Sequence, residues 1–203
     1  EPLLESQIAF YSLLAAVLVI PLIIWVKEKN RKKREAYLRT KEFPAEWSKI
    51  IQSRFPLYGK LPEKQRNELN GDIFIFLDEK TFEGCNGFEI TDEVKLVIAA
   101  QACTLLLNRT NYVYPKLHGV LVYPSTYVHS QSVLSEAGRT EDDVPVAGLS
   151  YSSGLVSLSW SHVIGGAMNS NDGRNVVFHE FAHQLDNESG ETNGFPRLEL
   201  ESA

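Results

Sequence analysis

Two cysteines in 203 residues, Cys85 and Cys103, leave no disulfide framework to staple a fold, so the chain relies on an apolar core and both thiols read as packing residues. Positive charge is also scarce over most of the sequence. From Phe43 onward 12 basic side chains face 21 acidic ones, a formal charge of about −9, which repels phosphate backbones and argues against direct nucleic-acid binding. There is no internal repeat and no long low-complexity segment, which removes repeat architectures. Charge is missing altogether from residues 8–26, a run of 19 positions.

That run is long enough to cross a bilayer as a helix. A secretory signal would carry basic residues before it and a small-residue cleavage site after it. Here Glu1 and Glu5 precede it, and eight Lys or Arg follow between Lys27 and Lys41, the pattern of an uncleaved anchor. Basic residues beside a span stay on the cytoplasmic side. The expectation is therefore residues 1–7 outside, a transmembrane helix over 8–26, a basic juxtamembrane linker over 27–43, and residues 44–203 as a cytoplasmic domain. Pro21 is tolerable within a span, and Trp25 falls where an aromatic belt residue belongs. The chain opens without methionine and closes on Leu-Glu-Leu-Glu-Ser-Ala, so it reads as a fragment whose domain lacks its C-terminal part.

With 43% hydrophobic residues the remainder can bury a core. Ala45 to Arg54 reads as a short amphipathic helix after the Phe43-Pro44 break. Leu61-Pro62-Glu63 opens another helix that continues to Lys80, although Asn70-Gly71 could break it and Ile73, Ile75 and Leu77 alternate as a strand would. Thr91 followed by Asp92 and Glu93 starts a core helix running to about Leu107, in which Gln101 is structural. Val120 to Pro124 and Leu155 to Trp160 read as strands, with loops at 138–154 and 165–174. Residues 155–160 are the candidate free edge on which an extended peptide could pair, an ordinary core strand being the alternative.

Residues 176–183, Val-Val-Phe-His-Glu-Phe-Ala-His, specify a chemistry. On a helix His179 and His183 project from one face, four residues apart, so both imidazoles can close on one ion. A zinc ion held by neutral imidazoles with an open position polarises a water, and the adjacent Glu180 carboxylate can take that water's proton. The alternative is a structural helix with incidental histidines. Val176, Val177 and Phe178 form an apolar approach, and Phe181, Ala182 and Leu185 are expected to give the helix a buried side, which favours the metal reading. His118, His129 and His162 stand alone and lack ligand spacing.

Motifs beyond this helix carry a resemblance. Lys80-x-Phe82-x-Gly84-x-x-Gly87, Thr91-Asp92-Glu93, Ile98-Ala99-Ala100-Gln101-Ala102, Tyr123-Pro124, Gly154-x-Val156-x-Leu158-Ser159-Trp160, Asn175-Val176-Val177-x-His179-Glu180-Phe181-Ala182-His183-x-Leu185-Asp186 and Gly194-x-Pro196 follow one another in one order. In these the chain resembles the Mlc titration factor A family of bacterial zinc peptidases, glucose-regulated anti-repressors. The resemblance implies an α+β, zincin-like metallopeptidase domain with His179 and His183 as zinc ligands and Glu180 as the catalytic carboxylate. It also implies a third ligand, a glutamate, from a downstream helix beyond Ala203. Asp186 is then a second-shell or capping residue, and Glu188, Glu191, Glu199 and Glu201 are weak ligand candidates. The chain departs from the family in its N-terminal apolar run and in His162, where an acidic residue is expected.

The functional expectation is a membrane-anchored zinc peptidase, aminopeptidase-like by resemblance, in a bacterial inner (plasma) membrane with peptide as its substrate. The alternative is a non-catalytic binding module that sequesters a transcriptional repressor or other partner at the membrane.

Overall fold

The computed structural model describes residues 2–109, 113–135, 138–151, 154–169 and 173–188, with side chains throughout except at 2–16, 18, 127–146 and 151. Two units result, residues 1–41 and 42–203.

The first unit is one helix, α1 (Pro2–Arg39), which runs through the expected linker with Pro21 inside it. Among the described residues no helix is long and apolar enough to cross a membrane. This finding corrects the transmembrane helix expected over 8–26, and the single-pass inner-membrane location and cytoplasmic placement that depend on it fall with it. The side chains described beyond Val26 are mostly charged, Lys27, Glu28, Lys29, Arg31, Lys32, Lys33 and Arg34 among them, and hydrocarbon does not accept such groups. Beyond Val26 the helix is charged, and Arg31 pairs with Glu28 and Glu35 along its surface.

The second unit begins with α2 (Ala45–Arg54), α3 (Leu57–Lys60) and α4 (Glu63–Glu79). Asn70-Gly71 does not break α4, because Tyr58 Oη donates to Asn70 Oδ1 at 2.9 Å and Gly71 is buried in the packed helix. Ile73, Ile75 and Phe76 are buried and Leu77 is half-buried, so the strand-like alternation of Ile73, Ile75 and Leu77 reflects a helix covered on more than one side. Next come β1 (Thr81–Gly84) and α5 (Asp92–Thr104), whose N-cap Thr91 accepts from Val94 N–H at 3.4 Å. Then follow β2 (Gly119–Tyr123), β3 (Tyr127–Ser135), β4 (Gly138–Val146), β5 (Gly148–Tyr151) and β6 (Leu155–Ser159). Helices α6 (Trp160–Met168) and α7 (Val176–Glu188) complete the described residues.

Helices and sheet segregate into an α+β arrangement. The four-stranded sheet has the order β1-β2-β6-β5, with β1, β2 and β6 parallel and β5 antiparallel, while β3 and β4 form a separate hairpin. Strand β6 is interior, paired with β2 on one side and β5 on the other, and Val156, Ser157, Leu158 and Ser159 are all buried. This corrects the expectation of a free edge at 155–160: the edge beside it is β5. Three strands, β3, β4 and β5, occupy stretches whose polar, Gly- and Ser-containing sequence gives no strand signal, because their pairing is set by partners rather than by propensity.

Helix α7 is seated by an aromatic cluster. Phe181 lies 4.9 Å from Tyr114 and 5.8 Å from Phe76, centroid to centroid, with Phe76 and Tyr114 perpendicular at 6.2 Å. All three rings are fully buried. Phe76→Ala removes the ring that touches both others and should cost about 3–5 kcal/mol. A urea denaturation midpoint unchanged by that substitution would show that the cluster does not seat α7.

Candidate active site

The start and rotational phase of α7 are fixed before its histidines are reached. Phe178 N–H donates to Asn175 Oδ1 at 2.9 Å, a side-chain cap on the first turn. Asn175 Nδ2 in turn donates to Gln101 Oε1 at 2.8 Å, and Gln101, wholly buried, donates from Nε2 to Val97 O within α5. A side-chain relay thus ties the metal-type helix to the core helix. Gln101, structural in the sequence reading, is the residue that aims this cap.

With Val177, Phe181 and Leu185 turned into the core, His179 and His183 face solvent. Their Nε2 atoms are 3.2 Å apart. Two imidazole nitrogens bound to one tetrahedral zinc at about 2.0–2.1 Å would be about 3.3 Å apart, so the pair fits two corners of such a site. Among the described residues no group of three His, Cys, Asp or Glu side chains could hold a metal ion. Asp186 is buried further along α7 and joins no such group. Glu188, at the end of the helix, lies instead among Arg109, Lys116 and Lys80; burial raises its carboxyl above the usual range and those cations oppose the rise. Glu191, Glu199 and Glu201 lie outside the described residues.

Glu180 sits between the histidines in sequence but is 6% exposed. Burial raises its carboxyl above the ordinary carboxylate value, while His179 and His183 pull it down. The burial comes from β5, which passes so close that a Cβ on Gly148 would stand 2.6 Å from Val176 Cγ2 and 2.9 Å from Glu180 Oε1. Only glycine leaves the strand that near the carboxylate.

A cleft of about 680 Å³ opens over this place, with Gly148 from β5, His162 from α6, Arg174 and Asn175 before α7, and His179 and Glu180 from α7 on its walls. His162 therefore belongs to the same cleft as His179 and Glu180, in keeping with a departure from the family pattern at this position that bears on the cleft rim. Its Nδ1 is 2.9 Å from Ser159 Oγ and 3.3 Å from Ser161 Oγ, which orients the ring. His118 lies apart, against Gly154. The side chain of His129 lies outside the described ones.

A family model described as glucose-regulated metallo-peptidase M90 matches residues 26–203. The chain belongs to that family. Among curated relatives of this M90 chain, the uncharacterized protein slr2042 of Synechocystis sp. is 43% identical over 168 residues, 81% of the chain and 61% of the relative. Mlc titration factor A of Cronobacter sakazakii is 27% identical over 161 residues, 77% of the chain and 58% of the relative. Its counterpart in Escherichia coli O127:H6 is 28% identical over 149 residues, 71% of the chain and 55% of the relative. The resemblance carried by the scattered motifs is thus borne out. The chain spans between 55% and 61% of the length of these three relatives.

The Glu180 environment makes a prediction for the metal-free M90 chain. A carboxyl whose folded pKa is raised favours folding fully below its unfolded pKa, and that contribution is lost as pH rises through the folded value. Glutamine has no such titration. Glu180→Gln should match the wild type in urea midpoint at about pH 4 or below and exceed it at pH 8. An equal or lower midpoint at pH 8 would mean that burial does not penalise the ionised Glu180.

Proposed function

We propose that residues 44–203 belong to the catalytic domain of a zincin-like zinc metallopeptidase that hydrolyses short peptides, with aminopeptidase-like preference by family resemblance. The observation that carries this reading is the 3.2 Å separation of His179 Nε2 and His183 Nε2 beside a buried Glu180. His179 and His183 hold the metal, and the family resemblance places the third protein ligand at a glutamate beyond Ala203. A bound zinc ion supplies Lewis acidity that polarises a water and the substrate carbonyl.

The chain's own residues supply the rest. Glu180, with a carboxyl raised by burial, takes a proton from the attacking water and delivers it to the leaving amine. The outer edge of β5, which pairs with β6 on one side and with no other strand among the described residues, receives the extended backbone of the peptide. His162, held by Ser159 and Ser161, lines the cleft in which the substrate lies.

A second reading is favoured by one observation, the name Mlc titration factor A borne by several relatives. In it the domain captures a transcriptional repressor and cuts nothing. The two readings part at Glu180. In the complete protein Glu180→Gln should keep its zinc while peptide hydrolysis drops by about 10²- to 10⁴-fold. His179→Ala and His183→Ala should lose metal and activity together. Hydrolysis within twofold of wild type in Glu180→Gln removes Glu180 as the base. A wild type that cuts no member of a broad peptide library, while capturing a repressor equally well with and without Glu180, favours the binding reading.

A further inference from the structure

Strand β5 is fastened to helix α7 at two points that keep step with each other. Gly148 lies against Glu180, where a Cβ would come within 2.8 Å of Glu180 Cγ. Two residues along the strand and four along the helix, Gln184 Nε2 donates to Ser150 Oγ at 2.5 Å. Two strand residues advance about 6.6 Å and four helical residues about 6.0 Å, so the contacts are in register and the strand runs alongside the helix. Gly148 and Ser150, at alternate positions, share the strand face turned to α7. Gln184 is buried, so its amide loses a partner that water cannot readily replace if the strand slides.

We propose that Gly148, Ser150 and Gln184 are positioning residues that fix the free edge of β5 relative to Glu180, and thereby make the cleft select extended peptides over single-residue substrates. The proposal rests on the peptidase reading above. A peptide paired on the outer edge of β5 lies one strand spacing away, about 4.8 Å, and takes its register from the backbone of Gly148 to Tyr151. A slip of one residue would carry the scissile bond about 3.3 Å along the cleft, beyond the ~2.6–3.2 Å reach of proton transfer by Glu180. The Gln184–Ser150 bond opposes that slip, and the absent side chain at Gly148 lets the strand come close enough for the register to matter. A substrate too short to pair with β5 is indifferent to it.

The test compares wild type with Ser150→Ala in the complete, zinc-loaded protein, using a hexapeptide and an aminoacyl p-nitroanilide. Binding of the same hexapeptide to the metal-free protein is measured by calorimetry. The expected result is a loss of about tenfold in hexapeptide kcat/KM and in hexapeptide affinity, a p-nitroanilide rate within about twofold of wild type, and unchanged zinc content. Ser150→Thr, which keeps the hydroxyl, should restore the hexapeptide values. Gln184→Leu, which removes the bond from the helix side, should repeat the Ser150→Ala pattern. Equal losses on both substrates, or no loss on either, overturn the positioning role and leave the peptidase reading intact. A wild type that hydrolyses neither substrate yet binds the hexapeptide more tightly than Ser150→Ala does the opposite: it sinks the peptidase reading and keeps the strand register. Neither hydrolysis nor binding overturns both.

Discussion

The rotational phase of helix α7 is the constraint on which the site depends. One helix has to bury Val177, Phe181 and Leu185 while presenting His179 and His183 to solvent, and a rotation by two residues, about 200°, would exchange the two sets. Two kinds of interaction hold the phase. The Asn175–Gln101 hydrogen bond, 2.8 Å long and anchored in α5, fixes where the helix begins, and the packing of Phe181 edge-on to Tyr114 and tilted against Phe76 fixes which side faces in. Apolar packing alone is non-directional, so the polar relay supplies the direction that the rings lack.

Once the phase is set, the geometry of the α-helix does much of the chemical work. Residues four apart are neighbours on the helix surface, and here their Nε2 atoms stand 3.2 Å apart, close to the edge of a tetrahedral zinc site. Glu180, one residue after His179, points away from solvent, and strand β5 closes over it because Gly148 offers no side chain. Glu180 is therefore desolvated by the same strand whose outer edge pairs with no other strand among the described residues. Burial raises the Glu180 carboxyl above the ordinary carboxylate value, and the two imidazoles on the same short helix oppose that rise.

Membership of the M90 family and the likeness to Mlc titration factor A place this arrangement among metallo-peptidases whose relatives bear a name drawn from titration. These two descriptions are physically compatible. On the proposed reading, a cleft that receives an extended backbone at a strand edge would equally be a surface on which another protein's segment can dock, and proton transfer by Glu180 would separate the two outcomes. Helix α1 is a separate matter: among the described residues no helix is long and apolar enough to cross a membrane, and its charged half is laced by Arg31 with Glu28 and Glu35, half-buried surface pairs that contribute little stability.

The sequence by itself determined the spacing of His179 and His183, the neighbouring carboxylate, the α5 and α7 helices with a start at Thr91, strands read at 120–124 and 155–160 that fall within a residue of β2 and β6, and the family. These are local patterns, readable because a helix or strand repeats its own period along the chain. It misled on the strand edge. Which strand lies outside is decided by partners far away in sequence, and β5, with only Gly-Leu-Ser-Tyr, has no period to read. The tertiary structure alone decided that Gly148 lies on Glu180, that Gln184 reaches Ser150, and that Gln101 holds Asn175 across 74 positions of chain. Each is a contact between segments whose separate sequences carry no trace of one another, and only the packing of sheet against helix brings them within hydrogen-bond distance.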